Sequence, residues 1–344
     1  MIYFLVILLN LFLYSDILSY VIPEKVIICG VCRNIEIPLP FTIKIIEGIG
    51  ALFKDYRIVA YENNSTDSTV NILKQWKSKN SKIQFYSETI NHKDLNRIVV
   101  NKCHDEFFRP ELIARARNIV LDKIMSKEYE DFQYVIWIDM DFKIPPTLEG
   151  IAEVFQSDKE WDAVFANGVG QQNIYWDWYA LRDNIDPIGP ELLGHDWYIP
   201  KYLSFNNTDD WYPVYSAFGG CGIYKKSSIQ GCRYSALVTK DLEIVAKKIF
   251  RELSDHPKVV KYFKDLNKLT SNVYIDNSHS NLLEIKDPKI GITLNNSKDA
   301  VVWKMNSFTY KYPTVCEHVP FHASMIVNGH GKLYVNPRMV FTYL

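Results

Sequence analysis

The chain has 344 residues, 47% hydrophobic and 23% charged, a composition that supports a large buried core and excludes disorder, collagen-like repeats and coiled coil. With 39 Lys and Arg against 40 Asp and Glu the net charge is −1 at pH 7, which offers no general attraction to nucleic acid or to an anionic membrane. The six cysteines are too sparse for a disulfide scaffold, and Cys29 and Cys32 are the only close pair.

Residues 2–15, IYFLVILLNLFLYS, are almost wholly apolar, short for a membrane span and of the length of a signal-peptide core. No Lys or Arg precedes Lys25, so charge does not set an orientation. Residues 1–22 are read as a signal peptide or a short membrane anchor. That reading gives a secretory-lumen (ER or Golgi) or membrane-anchored location, with the cytoplasm still open.

Beyond Pro23 the spacing predicts a buried strand over 26–31, a helix over 39–53, a strand over 56–61 and a capped helix over 68–76. A third strand-like run, 83–86, leads through a polar stretch to Arg109, after which Pro110 opens a long helix reaching about Met125. A strand over 134–138, a helix over 147–155 and a strand over 161–166 follow. This alternation predicts an α/β fold: a mixed, mainly parallel Rossmann-like sheet with helices on both faces. Residues 167–215 read as loop, rich in Trp, Tyr, Asn and Asp, and 241–266 as helix-rich.

The strongest chemical signal is YVIWIDMDF, an apolar strand ending in Asp139-Met140-Asp141. Carboxylates past the carboxyl end of a buried strand lie where open α/β sheets bind ligands. Two hard oxygen donors there suit a divalent cation completed by phosphates, although a strand-ending turn also carries carboxylates for solvation alone. In the helix ELIARARNIVLDKI, Arg115, Asn118 and Asp122 share a face with Arg117 beside them; guanidinium forks of this kind pair diphosphate oxygens. Glu62 ends a strand before the Asn-Asn-Ser-Thr turn, a position suited to a ribose or base edge. In FGGCGIY, Gly219 and Gly220 mark a close backbone approach, and CEHVPFH gathers Glu317, His318 and His322. The aromatic run IYWDWYALRD suits stacking on sugar rings or an ordinary core patch. Sequons stand at Asn63, Asn64, Asn206 and Asn295.

Together Arg33-Asn34, the turn from Glu62 to Thr69, Ala114-Arg115-Ala116-Arg117-Asn118 and Trp137-Ile138-Asp139-Met140-Asp141 resemble GT-A fold nucleotide-sugar glycosyltransferases. The order and spacing are most similar to the Mnn9/Anp1/Van1-type mannosyltransferases, over about residues 26–225. The resemblance implies one GT-A domain over 23–344, with a nucleotide-sugar and metal part at 26–225 and an acceptor-side part at 226–344. It implies transfer of a hexose such as mannose from a nucleotide sugar, GDP-mannose or else a UDP-sugar, to a glycan or glycoprotein hydroxyl. Gly30, Arg33, Glu62, Gly219 and Gly220 would line the nucleotide sugar, Arg117 would contact its diphosphate, and Asp139 and Asp141 would serve the ribose and a Mn2+ or Mg2+ ion. Glu317 would handle the acceptor hydroxyl, and His318 or His322 would complete the cation's coordination. Two other readings remain: a non-catalytic sugar-binding protein on the same scaffold, and a phosphatase of the haloacid-dehalogenase type, whose usual Thr or Val is replaced here by Lys143.

Overall fold

A computed structural model describes residues 21–103, 106–142, 144, 146–194, 205–206, 210–266, 273–275, 301–304 and 312–343. The apolar leader, Lys143 and the sequon at Asn295 lie outside the described residues. Among the described residues no helix is long and apolar enough to cross a membrane.

In chain order the elements are β1 (Ile22–Cys32), α1 (Leu39–Ala51), β2 (Phe53–Asn63), α2 (Thr69–Lys79), β3 (Ile83–Glu88) and α3 (His92–Ile98). The short β4 (Lys102–Cys103) and β5 (Glu106–Phe107) precede α4 (Arg109–Ile124), β6 (Tyr134–Ile138), α5 (Leu148–Gln156) and β7 (Ala163–Val169). The rest comprises α6 (Pro190–Leu193), β8 (Tyr212–Pro213), β9 (Cys221–Lys225), α7 (Lys240–Glu252), α8 (Pro257–Leu266), β10 (Val273–Ile275), β11 (Val302–Lys304), α9 (His318–Val327) and β12 (Leu333–Thr342).

Eight strands form one sheet in the order β3-β2-β1-β6-β9-β7-β12-β8. The neighbours from β3 to β6 are parallel, β9 runs antiparallel between β6 and β7, β12 is parallel to β7, and β8 closes the edge antiparallel. The protein has the mixed, mainly parallel α/β architecture expected from the sequence. Both faces are covered because successive residues of a strand point to opposite sides. In β1, Val26 and Ile28 enter a core with Ile45 and Ile49 of α1, Leu73 of α2 and Ile151 of α5. Ile27 and Cys29 enter the opposite core with Val120 of α4, Val245 of α7 and Phe321 of α9. The near-continuous apolar runs of the central strands are the signature of burial on two sides.

Two interior strands of this sheet went unpredicted. Strand β9 occupies the position between the two parallel blocks, and β12 lies between β7 and the edge strand β8. β12 slips register between Asn336 and Val340, and this bulge is fastened to the start of α5. Thr147 Oγ1 donates to Arg338 O at 2.6 Å and accepts from the Val340 N–H at 2.8 Å. At Gly150 a Cβ would stand 2.4 Å from Arg338 O, so α5 can approach this closely only with glycine there. The fastening matters because Tyr343, one residue past β12, is thereby placed among the strand ends that carry the acidic residues.

Candidate active site

The carboxyl ends of β1, β2 and β6 lie side by side, with Cys32 opposite Glu62 in register and Asp139 directly after β6. The loops after β1 and β2 are sewn together. Asn34, at φ 53°, donates its N–H to Ser65 Oγ at 3.0 Å and accepts from the Thr66 N–H at 2.8 Å. Glu36 donates its N–H to Asp67 Oδ2 at 3.0 Å and accepts from the Ser68 N–H at 2.8 Å. Asparagine tolerates the left-handed region that such a tie requires. Arg33 is left exposed at the cavity wall. The sequon residue Asn64 spends its amide on both backbone groups of Ile90, so it is committed to the fold.

Several expectations are corrected here. Glu62 is 1% exposed; its Oε1 accepts from the Ser65 N–H and its Oε2 from the Ser87 hydroxyl, both at 2.6 Å. Ser65 of the turn and Ser87 of β3 each hold one oxygen of this buried carboxylate, so it braces the two strand ends where a ribose contact was expected. Gly30 is buried, and a Cβ there would meet Met140 Cγ at 2.5 Å; it makes room for the residue between the two aspartates. Arg115 pairs with Glu88 and with the Tyr61 hydroxyl, and Asn118 brackets Tyr234 through both backbone groups. Of that helix face, Arg117 alone reaches the acidic residues.

Arg33, Arg109, Arg117, Asp139, Asp141 and Trp176 line a cavity of about 450 Å³. A second cavity of about 280 Å³ shares Arg109, Arg117, Asp139, Trp176 and Tyr343 with it and adds Asp177, Glu317 and His318. At the junction Arg117 is 4% exposed, with Nη2 3.7 Å from Asp139 Oδ1 and Nε 3.3 Å from Glu317 Oε1. Its guanidinium also lies over the rings of Phe218, Trp137 and Tyr234 at 4.8, 5.3 and 5.6 Å. A delocalised, weakly hydrated cation tolerates such an aromatic cage better than an ammonium would.

Asp139 is fixed from two sides: its N–H donates to Gly220 O at 2.9 Å, and its Oδ2 accepts from the Tyr343 hydroxyl at 2.6 Å. Burial pushes its carboxyl up to about 6 against the pull of Arg117. Asp141 is exposed in the same cavity and makes no hydrogen bond or ion pair among the described residues. A free carboxylate beside a pinned one suits Mg2+ or Mn2+, which take oxygen ligands and draw the remainder from water and phosphate.

The histidines do not complete that set. His322 is 0% exposed, with Nδ1 2.9 Å from Ser216 Oγ and Nε2 3.0 Å from the Tyr224 hydroxyl. Both ring nitrogens are used, and burial, with Arg117 adding to it, pushes the imidazole down to about 3. It is a core histidine. His318 stacks on Phe218 at 4.1 Å and lines the second cavity, whereas Asp141 lines the first. Among the described residues no three His, Cys, Asp or Glu gather closely enough to hold a metal alone.

Gly219 (φ 63°) and Gly220 (φ 91°) turn the chain into β9. The approach they permit is internal: a Cβ would stand 2.2 Å from Ala166 O at the first and 2.1 Å from the Tyr343 hydroxyl at the second. They hold the site's frame where a nucleotide contact was expected. Gly220→Ala is expected to push Tyr343 off Asp139 and to cost about 1–3 kcal/mol, measured by urea unfolding; unchanged stability would mean the turn adapts freely. Arg109 and Tyr343 were missed from the sequence. Pro110 at the start of α4 could have signalled the first, since it places the preceding arginine at a helix start facing the strand ends. Nothing local signals Tyr343.

No protein-family model and no curated protein matches the chain. Among solved structures it is similar to residues 1–349 of TarS from S. aureus, at 12% identity over 62% of this chain and 50% of that one, with a TM-score of 0.35. It is also similar to the mannosyltransferase PcManGT from Pyrobaculum calidifontis in complex with GDP-Man and Mn2+ (15% identity, 70% and 59% covered, TM-score 0.36). A third is glucosyl-3-phosphoglycerate synthase from Mycobacterium tuberculosis in complex with Mn2+, UDP and phosphoglyceric acid (11% identity, 70% and 69% covered, TM-score 0.36). The chain spans about half the length of the TarS fragment. Likeness at this level carries no argument about what the chain binds or does.

Proposed function

We propose that the chain is a glycosyltransferase that moves a hexose from a nucleoside-diphosphate sugar to a hydroxyl of a glycan or glycoprotein. The observation that carries this reading is one cavity, at the carboxyl ends of parallel strands, in which the Asp139 and Asp141 carboxylates face Arg33, Arg109 and Arg117. A diphosphate is the ligand that satisfies both signs at once, because guanidinium forks would take some of its oxygens while the carboxylates would hold a cation that offsets the rest of its charge. Asp139 and Asp141 would hold Mn2+ or Mg2+, which when bound neutralises charge on the departing diphosphate.

The chain's own residues divide the remaining work. Arg33 and Arg109, exposed and without an ion pair among the described residues, are available to the phosphates. Tyr343 holds one Asp139 oxygen and so aims the other into the cavity. Glu317 is 7% exposed and 3.3 Å from Arg117, which makes it the counter-ion of that arginine, in place of the hydroxyl-handling role expected from the sequence. The nucleoside then extends toward Asn63 and Arg33, and the donor sugar lies at the junction of the two cavities, beside Asp139 and Arg117. A mannosyl donor is the first choice of this reading and a UDP-sugar the second; both rest on the family resemblance.

The test is calorimetric titration of GDP-mannose, UDP-glucose and UDP-N-acetylglucosamine into the full chain with Mn2+, with and without EDTA, followed by nucleoside diphosphate release. Cation-dependent binding of one of them is expected. Absence of binding to all three would sink the reading.

A further inference from the structure

Resting on that reading, we propose that Trp176 and Asp177 form the acceptor subsite, and that the acceptor presents a pyranose ring. The indole face would take the ring's C–H face while Asp177 Oδ1 takes the proton of the attacking hydroxyl, as that oxygen bonds to the donor's anomeric carbon and the nucleoside diphosphate leaves with the electrons of the broken C–O bond.

The first support is how Trp176 is held. The loop after β7 turns tightly, with Gln172 and Asn173 at φ 58° and 60° and the Gly170 N–H donating to Ile174 O at 2.8 Å. Trp176 then returns its N–H to Gly168 O at 2.8 Å, and a Cβ at Gly170 would stand 2.9 Å from the indole. The indole stacks on Tyr343 at 5.5 Å and 13°, yet Trp176 remains 54% exposed. A single exposed aromatic needs no explanation. One that is clamped by a second ring, at the mouth shared by two cavities, gives a flat apolar surface whose ordering cost is met before a ligand arrives.

The second support is the polarity of the two cavities. The larger one holds Arg33 and Asp141 and suits phosphate. Both share Arg109 and Arg117, and the smaller one adds Asp177, Glu317 and His318 together with Tyr179, Phe218 and Cys316. With Glu317 answered by Arg117, the Asp177 carboxyl and the His318 imidazole that are left suit a neutral polyol, whose hydroxyls both donate and accept. Among the described residues neither His318 ring nitrogen has a hydrogen-bond partner, the nearest carboxylate oxygen being Glu317 Oε1 at 3.6 Å from Nε2, although the residue is 2% exposed; a buried polar group of that kind asks for a ligand that brings one. Asp177 gives its Oδ2 to the Gly219 N–H at 3.1 Å, and its Oδ1 has no hydrogen bond among the described residues. The Gly219 tie fixes the carboxylate while leaving the other oxygen for a substrate. At about 280 Å³ the cavity is near the lower end of small-molecule sites, roughly 300 Å³, the scale of one sugar ring.

The experiment uses the full chain, wild type and the variants Trp176→Ala, Trp176→Phe and Asp177→Asn. Methyl α-mannopyranoside, methyl α-glucopyranoside and methyl β-galactopyranoside are the probes, read by saturation-transfer NMR, and GDP-mannose and UDP-glucose with Mn2+ are titrated by calorimetry. At least one glycoside is expected to bind wild type, to weaken about tenfold in Trp176→Ala and to be retained in Trp176→Phe. Asp177→Asn is expected to lower kcat/KM for a glycoside acceptor about 100-fold with the donor Kd within about twofold. Loss of donor affinity in step with acceptor affinity would assign the pocket to the donor sugar and overturn the proposal. So would failure of all three glycosides to bind wild type. If no nucleotide sugar binds but a glycoside does, and Trp176→Ala abolishes it, the transferase reading fails while the pyranose site stands.

Discussion

Asp141→Asn is expected to reduce cation-dependent transfer about 100-fold or more and to leave thermal unfolding unchanged. The two effects separate because Asp141 is exposed and makes no ion pair or hydrogen bond among the described residues. Its loss therefore orphans no buried partner, while it removes the freer of the two carboxylates available to the cation. Asp139 makes a poorer test, since one oxygen is held by Tyr343 and the other faces Arg117. The carboxyl of Asp139 is instead read through pH. Burial raises it to about 6, so below pH 6 a proton competes for the oxygen that the cation needs. The cation concentration for half-maximal binding is expected to rise as pH falls from 7 to 5. Full transfer by Asp141→Asn, or by wild type in excess EDTA, would remove the cation from the mechanism.

The parts of this fold that announced themselves are those whose neighbours in sequence are also neighbours in space. Strands β1, β2 and β6 are runs of apolar residues buried on both faces, and α4 is opened by proline, so pattern alone located them. Strand β12 was not legible because Pro337 and the slip between Asn336 and Val340 break the alternation that marks a strand. Strand β9 is five residues long and follows two glycines that read as loop. The site divides in the same way. Asp139 and Arg117 follow from position on their elements. The roles of Glu62 and His322 were misread because what decides them is the demand of partners. Glu62 answers Ser65 of its turn and Ser87 of β3, and His322 answers Ser216 and Tyr224, which lie 106 and 98 residues away in the chain. Two histidines one helical turn apart look like a ligand pair in sequence, yet a buried helix face distributes them to whichever hydroxyls the fold brings up.

Arg117→Met is expected to destabilise the protein by about 3 kcal/mol, within the range for breaking a buried ion pair from one side. Methionine can fill the space among Phe218, Trp137 and Tyr234, so the loss would reflect charge more than a cavity. What remains is the buried Glu317 carboxylate beside Asp139, whose side chain is 31% exposed, two like charges without the cation between them. The double variant Arg117→Met, Glu317→Gln is expected to recover part of the loss, because the more deeply buried charge is then gone. The pH dependence has a definite sign. Asp139, raised by burial to about 6 against the pull of Arg117, binds its proton more tightly still in the folded state once that pull is gone. The penalty is therefore present above that raised value and fades below it, and the gap between variant and wild type should be smaller at pH 5 than at pH 8 in urea unfolding. If Arg117→Met is as stable as wild type at both pH values, the arginine is not holding the acidic residues apart. Its charge would then be reserved for a ligand, and calorimetry on the stable variant would show the whole effect in nucleotide-sugar affinity. If instead stability falls and the double variant restores it without restoring that affinity, Arg117 serves both purposes. It would keep Asp139 and Glu317 in place while the site is empty and turn toward the diphosphate when the donor's own negative charge arrives.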